Sequence, residues 1–273
     1  MERVRRRHPP VLRARQPLER RVGWSAGEVL HPAGQSCEPA AAAMGDDGVG
    51  TVAITCWANP ADITSAKGLF AVRGVPGAWV DPVSLSAPAA NVSSAALAVA
   101  ADGAVGATWT GTVATGGLME ARVLPAGAAT WGSIHLVGDA SRPAISPALA
   151  ATGPGTFTAA WVQAGADAGI LTAAITAAGV SDRLLVSDPA AGPLPSSDAA
   201  PSLSARTVDG TPVTAVAWEH GDRVMARVSR AGVWGDATQV SVHSSAFDYV
   251  NEPAAVVAGD GAVTVAWTQR IDG

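Results

Sequence analysis

Lysine, tyrosine and cysteine are nearly missing from this 273-residue chain: Lys67 is the single lysine, Tyr249 the single tyrosine, and Cys37 and Cys56 the only cysteines. Two cysteines are too few for a disulfide framework or a cysteine-rich zinc site. Cys56 lies in an apolar run beside Trp57 and reads as a small core residue, and whether it pairs with Cys37 stays open. No stretch reaches the roughly 18 uninterrupted apolar residues of a membrane span. The basic N-terminus has no apolar stretch after it, so the chain as written carries no signal peptide; an extracellular or cell-surface place follows only if the true start lies elsewhere. His8, His31, His135 and His243 show no metal-ligand spacing, and no glycine-rich loop follows a strand and opens a helix. No metal and no cofactor is expected.

What charge there is lies unevenly. Residues 1–23 hold eight arginines against Glu2 and Glu19, although the whole chain has a net charge of −5. The body is therefore acidic, which argues against nucleic acid as a partner, because phosphate binding needs a basic surface. The basic head reads as a disordered tail over residues 1–10.

Tryptophan is plentiful, with nine in the chain, alongside 30 glycines and 19 prolines. Five tryptophans (Trp57, Trp109, Trp161, Trp218, Trp267) end runs of small and β-branched residues such as TVAITCW and AVTVAW, at steps of 52, 52, 57 and 49 residues. Upstream of each lies a turn: Asp47-Gly48, Asp102-Gly103, Gly153-Pro154-Gly155, Asp209-Gly210 and Asp260-Gly261. Asp-Gly between apolar runs predicts a type I′ hairpin with positive φ at both residues. Trp24, Trp79, Trp131 and Trp234 mark a second position, taken in the third repeat by Val180. Between the two positions runs a further strand, as in LFAVRGV (69–75), LMEARVL (118–124), ILTAAIT (170–176) and RVMARVS (223–229). Each unit is four strands up and down. One such sheet cannot bury both faces alone, so the units must stack.

The ends complete one another. Residues 11–30 match the second half of a unit, with Arg13-Ala14-Arg15 parallel to Glu120-Ala121-Arg122 and Trp24 parallel to Trp131; residues 251–273 are a first half. The expected fold is all-β, a five-bladed β-propeller of four-stranded antiparallel blades. The blades span about 39–86, 91–137, 147–187 and 201–241, and the half-blades 11–30 and 251–273 join to close one domain over 11–273 and remove two open edges. The alternative is an open fragment of a larger propeller.

With these repeats on the page, the chain resembles the tryptophan-containing bacterial β-propeller repeats related to sialidase-like propellers. The likeness is a pattern over residues 11–273 without a diagnostic motif. Asp102-Gly-Ala-Val-Gly106-Ala-Thr108-Trp109 approaches the sialidase Asp-box, but its aspartate stands four residues before the second glycine, where the box has two. The resemblance implies an arginine cluster for a substrate carboxylate and a tyrosine nucleophile with a glutamate partner. Tyr249, flanked by Asp248 and Glu252, is the one tyrosine available, and Arg73, Arg122 and Arg227 recur along the repeats.

A second candidate cluster is Glu219-His220-Gly221-Asp222, where two carboxylates flank an imidazole. A third set stands two residues beyond the inner tryptophans: Asn59, Gln163, His220 and Gln269, with Gly111 in the second repeat. Period two puts each on the tryptophan's side of its strand, and amide or imidazole groups both donate and accept hydrogen bonds, as sugar hydroxyls require. Asn59, Gln163, His220, Gln269 and Tyr249 are therefore the candidate ligand-binding residues. The leading function is a non-catalytic binding or scaffold propeller for a glycan or protein ligand. The alternatives are a glycoside-hydrolase-like enzyme and a fragment of a larger surface repeat protein.

Overall fold

The computed structural model describes residues 28–270 apart from 32–33, 63, 88–89, 114–115, 166–167, 188–193, 195–199 and 242–248. Every regular element among them is a strand. The first sheet runs β1 (Cys37–Met44), β2 (Gly50–Trp57), β3 (Lys67–Val75) and β4 (Ala78–Trp79), with β5 (Val83–Ser84) also on β3. The second is β6 (Val92–Val99), β7 (Val105–Val113), β8 (Gly116–Leu124) and β9 (His135–Leu136). In the third, β10 (Ala144–Gly153), β11 (Thr156–Gln163), β12 (Gly169–Thr176) and β13 (Gly179–Val180) follow in order, with β14 (Leu184–Leu185) on β12. The fourth repeats this with β15 (Ser202–Val208), β16 (Thr211–His220), β17 (Arg223–Arg230), β18 (Val233–Trp234) and β19 (Thr238–Gln239). β20 (Tyr249–Val257) and β21 (Val263–Arg270) form a fifth, two-stranded sheet. All pairings are antiparallel, and all join chain neighbours except β5 on β3, β14 on β12 and β19 on β17.

The first strands pack side by side in series, β1 on β6, β6 on β10, β10 on β15 and β15 on β20. Met44, Val99, Ala151, Ala205 and Val257, one from each sheet, line a single cavity of about 620 Å3. The five sheets therefore radiate from a common axis, with small residues innermost. Residues 11–27, which carry most of the expected closing half-unit, lie outside the described residues.

The turns correct one expectation. Only Asp209-Gly210 has positive φ at both residues, 49° and 77°. At Asp47, Asp102 and Asp260 the carboxylate instead accepts the N–H two residues on (Val49, Ala104, Ala262; 2.9–3.1 Å), and the following glycine alone is left-handed. These are longer loops, a turn followed by a left-handed glycine, held by the aspartate side chain.

The tryptophan repeat is also corrected at its first member. Trp109, Trp161 and Trp267 each stand six residues after the left-handed turn glycine, whereas Trp57 stands nine after Gly48. The residue six after Gly48 is Ile54, which is 6% exposed. Strand register agrees. Leu69, Met119 and Ile170 each accept the N–H that ends their unit (Leu85, Val137, Val186), and their partners on the second strand are Thr55, Thr110 and Val162. Ile54, Trp109 and Trp161 are thus equivalent. Trp57 is displaced to the rim, half-buried, with the Lys67 ammonium 4.4 Å from its ring centre. Lys67 also pairs with Glu38, and that hydrogen bond holds the Glu38 carboxyl below its ordinary range.

Each sheet packs on the preceding one through the same three positions: the aliphatic residue that ends the earlier unit, the inner aromatic and the outer aromatic. They are Leu85, Trp109 and Trp131 at the second sheet, Val137, Trp161 and Val180 at the third, and Val186, Trp218 and Trp234 at the fourth. At the first sheet the trio is Leu30, Ile54 and Trp79. Leu30 therefore occupies, on sheet one, the place that the end of a preceding unit takes on sheets two, three and four. Cys37 and Cys56 face each other across β1 and β2 and are bonded as a disulfide, with Cα atoms 4.1 Å apart. Trp57 N donates to Ser36 O next door, which makes Cys37–Cys56 a non-hydrogen-bonded pair, the closer of the two pair types.

Candidate functional site

The sequence candidates share one end of the sheets, because second strands finish where first strands begin. The structure does not gather them into one pocket. Asn59 lies past the end of β2 in an exposed turn, its side chain accepting from Ala61 N at 3.1 Å. Gln163 is 1% exposed and fully engaged. Its Oε1 accepts from Trp161 Nε1 and Asp139 N (3.2 Å each), and its Nε2 donates to the Arg142 and Pro143 carbonyls (2.8 and 2.9 Å). An amide has two donors and two acceptor sites, so Gln163 has nothing left for a ligand. Gln269 serves its indole alike, accepting from Trp267 Nε1 at 3.2 Å. At these two positions the residue two beyond the tryptophan caps the indole N–H, a use that the period-two pattern allows equally well, whereas Trp109 Nε1 donates to Glu120 Oε2.

His220 ends β16 opposite Arg223, and Gly221-Asp222 is the two-residue turn between β16 and β17, where Asp222 pairs with Arg223 Nε at 3.4 Å. Tyr249 opens β20 opposite Arg270. Among the described residues, no three His, Cys, Asp or Glu side chains could hold a metal ion. No helix among them is long and apolar enough to cross a membrane.

The arginines do not converge; they tie neighbouring sheets through backbone carbonyls. Arg122 donates from Nε to Gly132 O (2.7 Å) and from Nη1 to Ser84 O and Leu85 O of the preceding sheet (3.1 and 3.3 Å). Burial pulls its guanidinium pKa below the ordinary value. Arg227 repeats this with Gly235 O (2.5 Å) and Val186 O (3.0 Å). The third unit has Ala173 at that strand position, and there Arg183 reaches back from the outer segment to Val137 O and Gly138 O (2.7 and 2.8 Å). Arg73 sits at another level and points forward to Gly103 O (3.5 Å), as Arg230 does to Gly261 O (3.1 Å).

Where a site does form is between the third and fourth sheets, a cleft of about 370 Å3. Its origin is legible by comparing interfaces. Between sheets two and three, Phe157 and Ile175 fill the space against Ala121 and Gly106, all in or beside one apolar cluster. Phe157 lies so close that a Cβ on Gly106 would sit 2.8 Å from its ring. At the matching positions between sheets three and four stand Thr214 for Phe157, Ser229 for Ile175, Thr172 for Ala121 and Thr158 for Gly106. Four apolar or absent side chains have become four hydroxyls.

Three of these hydroxyl residues are nearly buried, Thr172 at 3%, Thr214 at 6% and Ser229 at 4% exposure. Each lines the cleft, and none has a hydrogen-bond partner among the described residues. Their oxygens are not cut off from solvent; they open into the cleft, where water or a ligand hydroxyl can bond them. Trp234 forms one wall, and Ser181, Asp182 and Gly232 stand exposed at the mouth. Sequence reasoning missed this site because it sought polar residues beside the tryptophans. The available signal was hydroxyl residues at the positions of Thr172, Thr214 and Ser229, which are apolar or glycine in the other repeats.

Comparison with known proteins supplies the fold and no more. No family model and no curated protein matches the sequence. Among solved structures, Trypanosoma rangeli sialidase in complex with sialic acid superposes with a TM-score of 0.55 at 12% identity, over 85% of this chain and 44% of that one. Penicillium chrysogenum alpha-L-arabinanase complexed with arabinobiose gives 0.53 at 11% identity, over 84% and 74%. A Hadza microbial sialidase gives 0.52 at 13% identity, over 85% and 50%. The chain thus spans about half the length of these sialidases. The likeness is one of fold, an all-β arrangement of antiparallel sheets similar to that of these β-propellers.

Proposed function

We propose that this chain is a carbohydrate-binding propeller that holds its ligand without cleaving it, in the cleft between the third and fourth sheets. The observation that carries the reading is the exchange of an apolar inter-sheet contact for hydroxyls, three of them opening into the cleft without a protein partner, beside an indole. Packing alone would favour the apolar version, since burying a phenylalanine is worth roughly 1.5–3 kcal/mol. A hydroxyl bed with an aromatic wall matches a sugar, whose ring offers hydroxyls on its edge and C–H groups on its face. The neighbouring sugar-acting propellers are compatible with this reading.

The ring in this reading has five blades. The half-blades 11–30 and 251–273 join as one blade, residues 11–273 form one domain, and residues 1–10 stay outside it. Leu30, seated as the end of a preceding unit, supports that closure. The Cys37–Cys56 bridge favours an oxidising compartment.

A glycan array probed with the wild-type protein and with Trp234→Ala and Thr214→Val tests the function. Val105 holds the position of Thr214 in the second sheet, so valine there is compatible with the fold. Binding in the wild type that falls about tenfold in each variant, equivalent to roughly 1.4 kcal/mol, together with no turnover of aryl glycosides, is the expected result. Undiminished binding in both variants refutes the cleft, and turnover refutes the non-catalytic role.

A further inference from the structure

We infer that the cleft selects an electrically neutral sugar, admitted as a single terminal ring, and that Asp182 turns away acidic sugars. This rests on the carbohydrate-binding reading above and gives its ligand a chemical class.

Charge decides which sugar the cleft accepts. The side chains that line the cleft include one carboxylate, Asp182, and no lysine, arginine or histidine. The arginines that the chain places nearest are engaged elsewhere. Arg183 gives Nε and Nη2 to carbonyls of the second sheet, Arg227 donates to Gly235 O and Val186 O, and Arg230 donates to Gly261 O. A carboxylated sugar would lose hydration on entering, meet no cation, and face Asp182 at the mouth. An ionised group desolvated without a partner is strongly disfavoured, and a like charge adds to the cost. A neutral sugar meets none of this. Its hydroxyls can donate to and accept from Thr172, Thr214 and Ser229 on the floor, and Asp182 can accept from those nearer solvent, in charge-assisted bonds about twice as strong as neutral ones.

Size sets the ring count. At about 370 Å3 the cleft is near the lower limit of ligand pockets. The mostly buried Thr172, Thr214 and Ser229 form the floor and the exposed residues the mouth, so a chain of sugars enters end-on with its terminal ring innermost.

Isothermal titration of the full chain with methyl glycosides of neutral hexoses and deoxyhexoses, against those of glucuronic acid and sialic acid, tests the proposal. The expected result is that a neutral glycoside binds and both acids bind at least tenfold more weakly. Asp182→Asn should narrow that gap, and Thr214→Val with Ser229→Ala should weaken the neutral ligand at least tenfold. An acidic sugar that binds as well as the neutral ones, with binding lost in the Thr214→Val, Ser229→Ala protein, overturns the charge selection and leaves the carbohydrate reading standing. Sugar binding unaffected by that double change, or no binding by any glycoside, overturns both.

Discussion

Ile54 and Trp57 carry the sharpest lesson at the scale of single residues. The tryptophan is the more conspicuous, yet the three-residue offset places isoleucine between the sheets and leaves the indole on the rim under Lys67. Truncating Ile54 to alanine should therefore destabilise by about 2–5 kcal/mol, as buried aliphatic truncations do. Trp57→Ala should cost about 1 kcal/mol or less, the scale of an exposed cation–π contact. Urea denaturation of both variants measures this, and the reverse order would mean that Trp57 belongs to the core. Part of the spacing was in the sequence, since three inner tryptophans stand six residues after the turn glycine; but Trp218 stands eight after Gly210, so strand register and not the glycine settles which residue is equivalent. Gln163 shows the same limit. Its type and period suited a ligand residue, but only coordinates show that four protein groups already consume its hydrogen-bonding capacity.

At the level of strands and connections, most of what the sequence implied holds. The third-strand runs at 69–75, 118–124, 170–176 and 223–229 all fall within β3, β8, β12 and β17. Period-two patterning and turn residues are local signals, and strands obey them. Ties between sheets are not local. Arg183 replaces the strand arginine of other units from a different element, and no periodicity marks it. Its bonds to the Val137 and Gly138 carbonyls hold sheet three against sheet two. Removing the guanidinium as Arg183→Met leaves both carbonyls without this donor and should cost about 1.5–3 kcal/mol, the usual worth of a bond to a charged group. Arg183→Lys should recover little, since an ammonium lacks the fork that meets two acceptors at once. Thermal melts of both variants decide it; full rescue by lysine would show that charge alone, not the fork, makes the tie. The cleft escaped notice for the same reason. It arises from what two sheets present to each other, and its signal appears only when one interface is compared with the next.

For the whole molecule, sheet stacking and the axis were legible because the repeat forces each sheet to bury its faces on its neighbours. Closure is the larger claim. The ends of the chain complement each other, Leu30 sits where a preceding unit would end, and the first strands of all five sheets line one cavity. Register then dictates a specific contact. Thr108 pairs with Ala121 in the second sheet, Ala266 matches Thr108, and Ala14 matches Ala121, so Ala14 should lie opposite Ala266. The most direct measurement is therefore a disulfide test on the Ala14→Cys, Ala266→Cys protein. After mild oxidation and digestion without reduction, mass spectrometry should find residues 14 and 266 linked, alongside the native 37–56 pair. If both new thiols stay open to alkylation while circular dichroism shows the β fold intact, the two termini do not share a sheet and the closed ring is wrong.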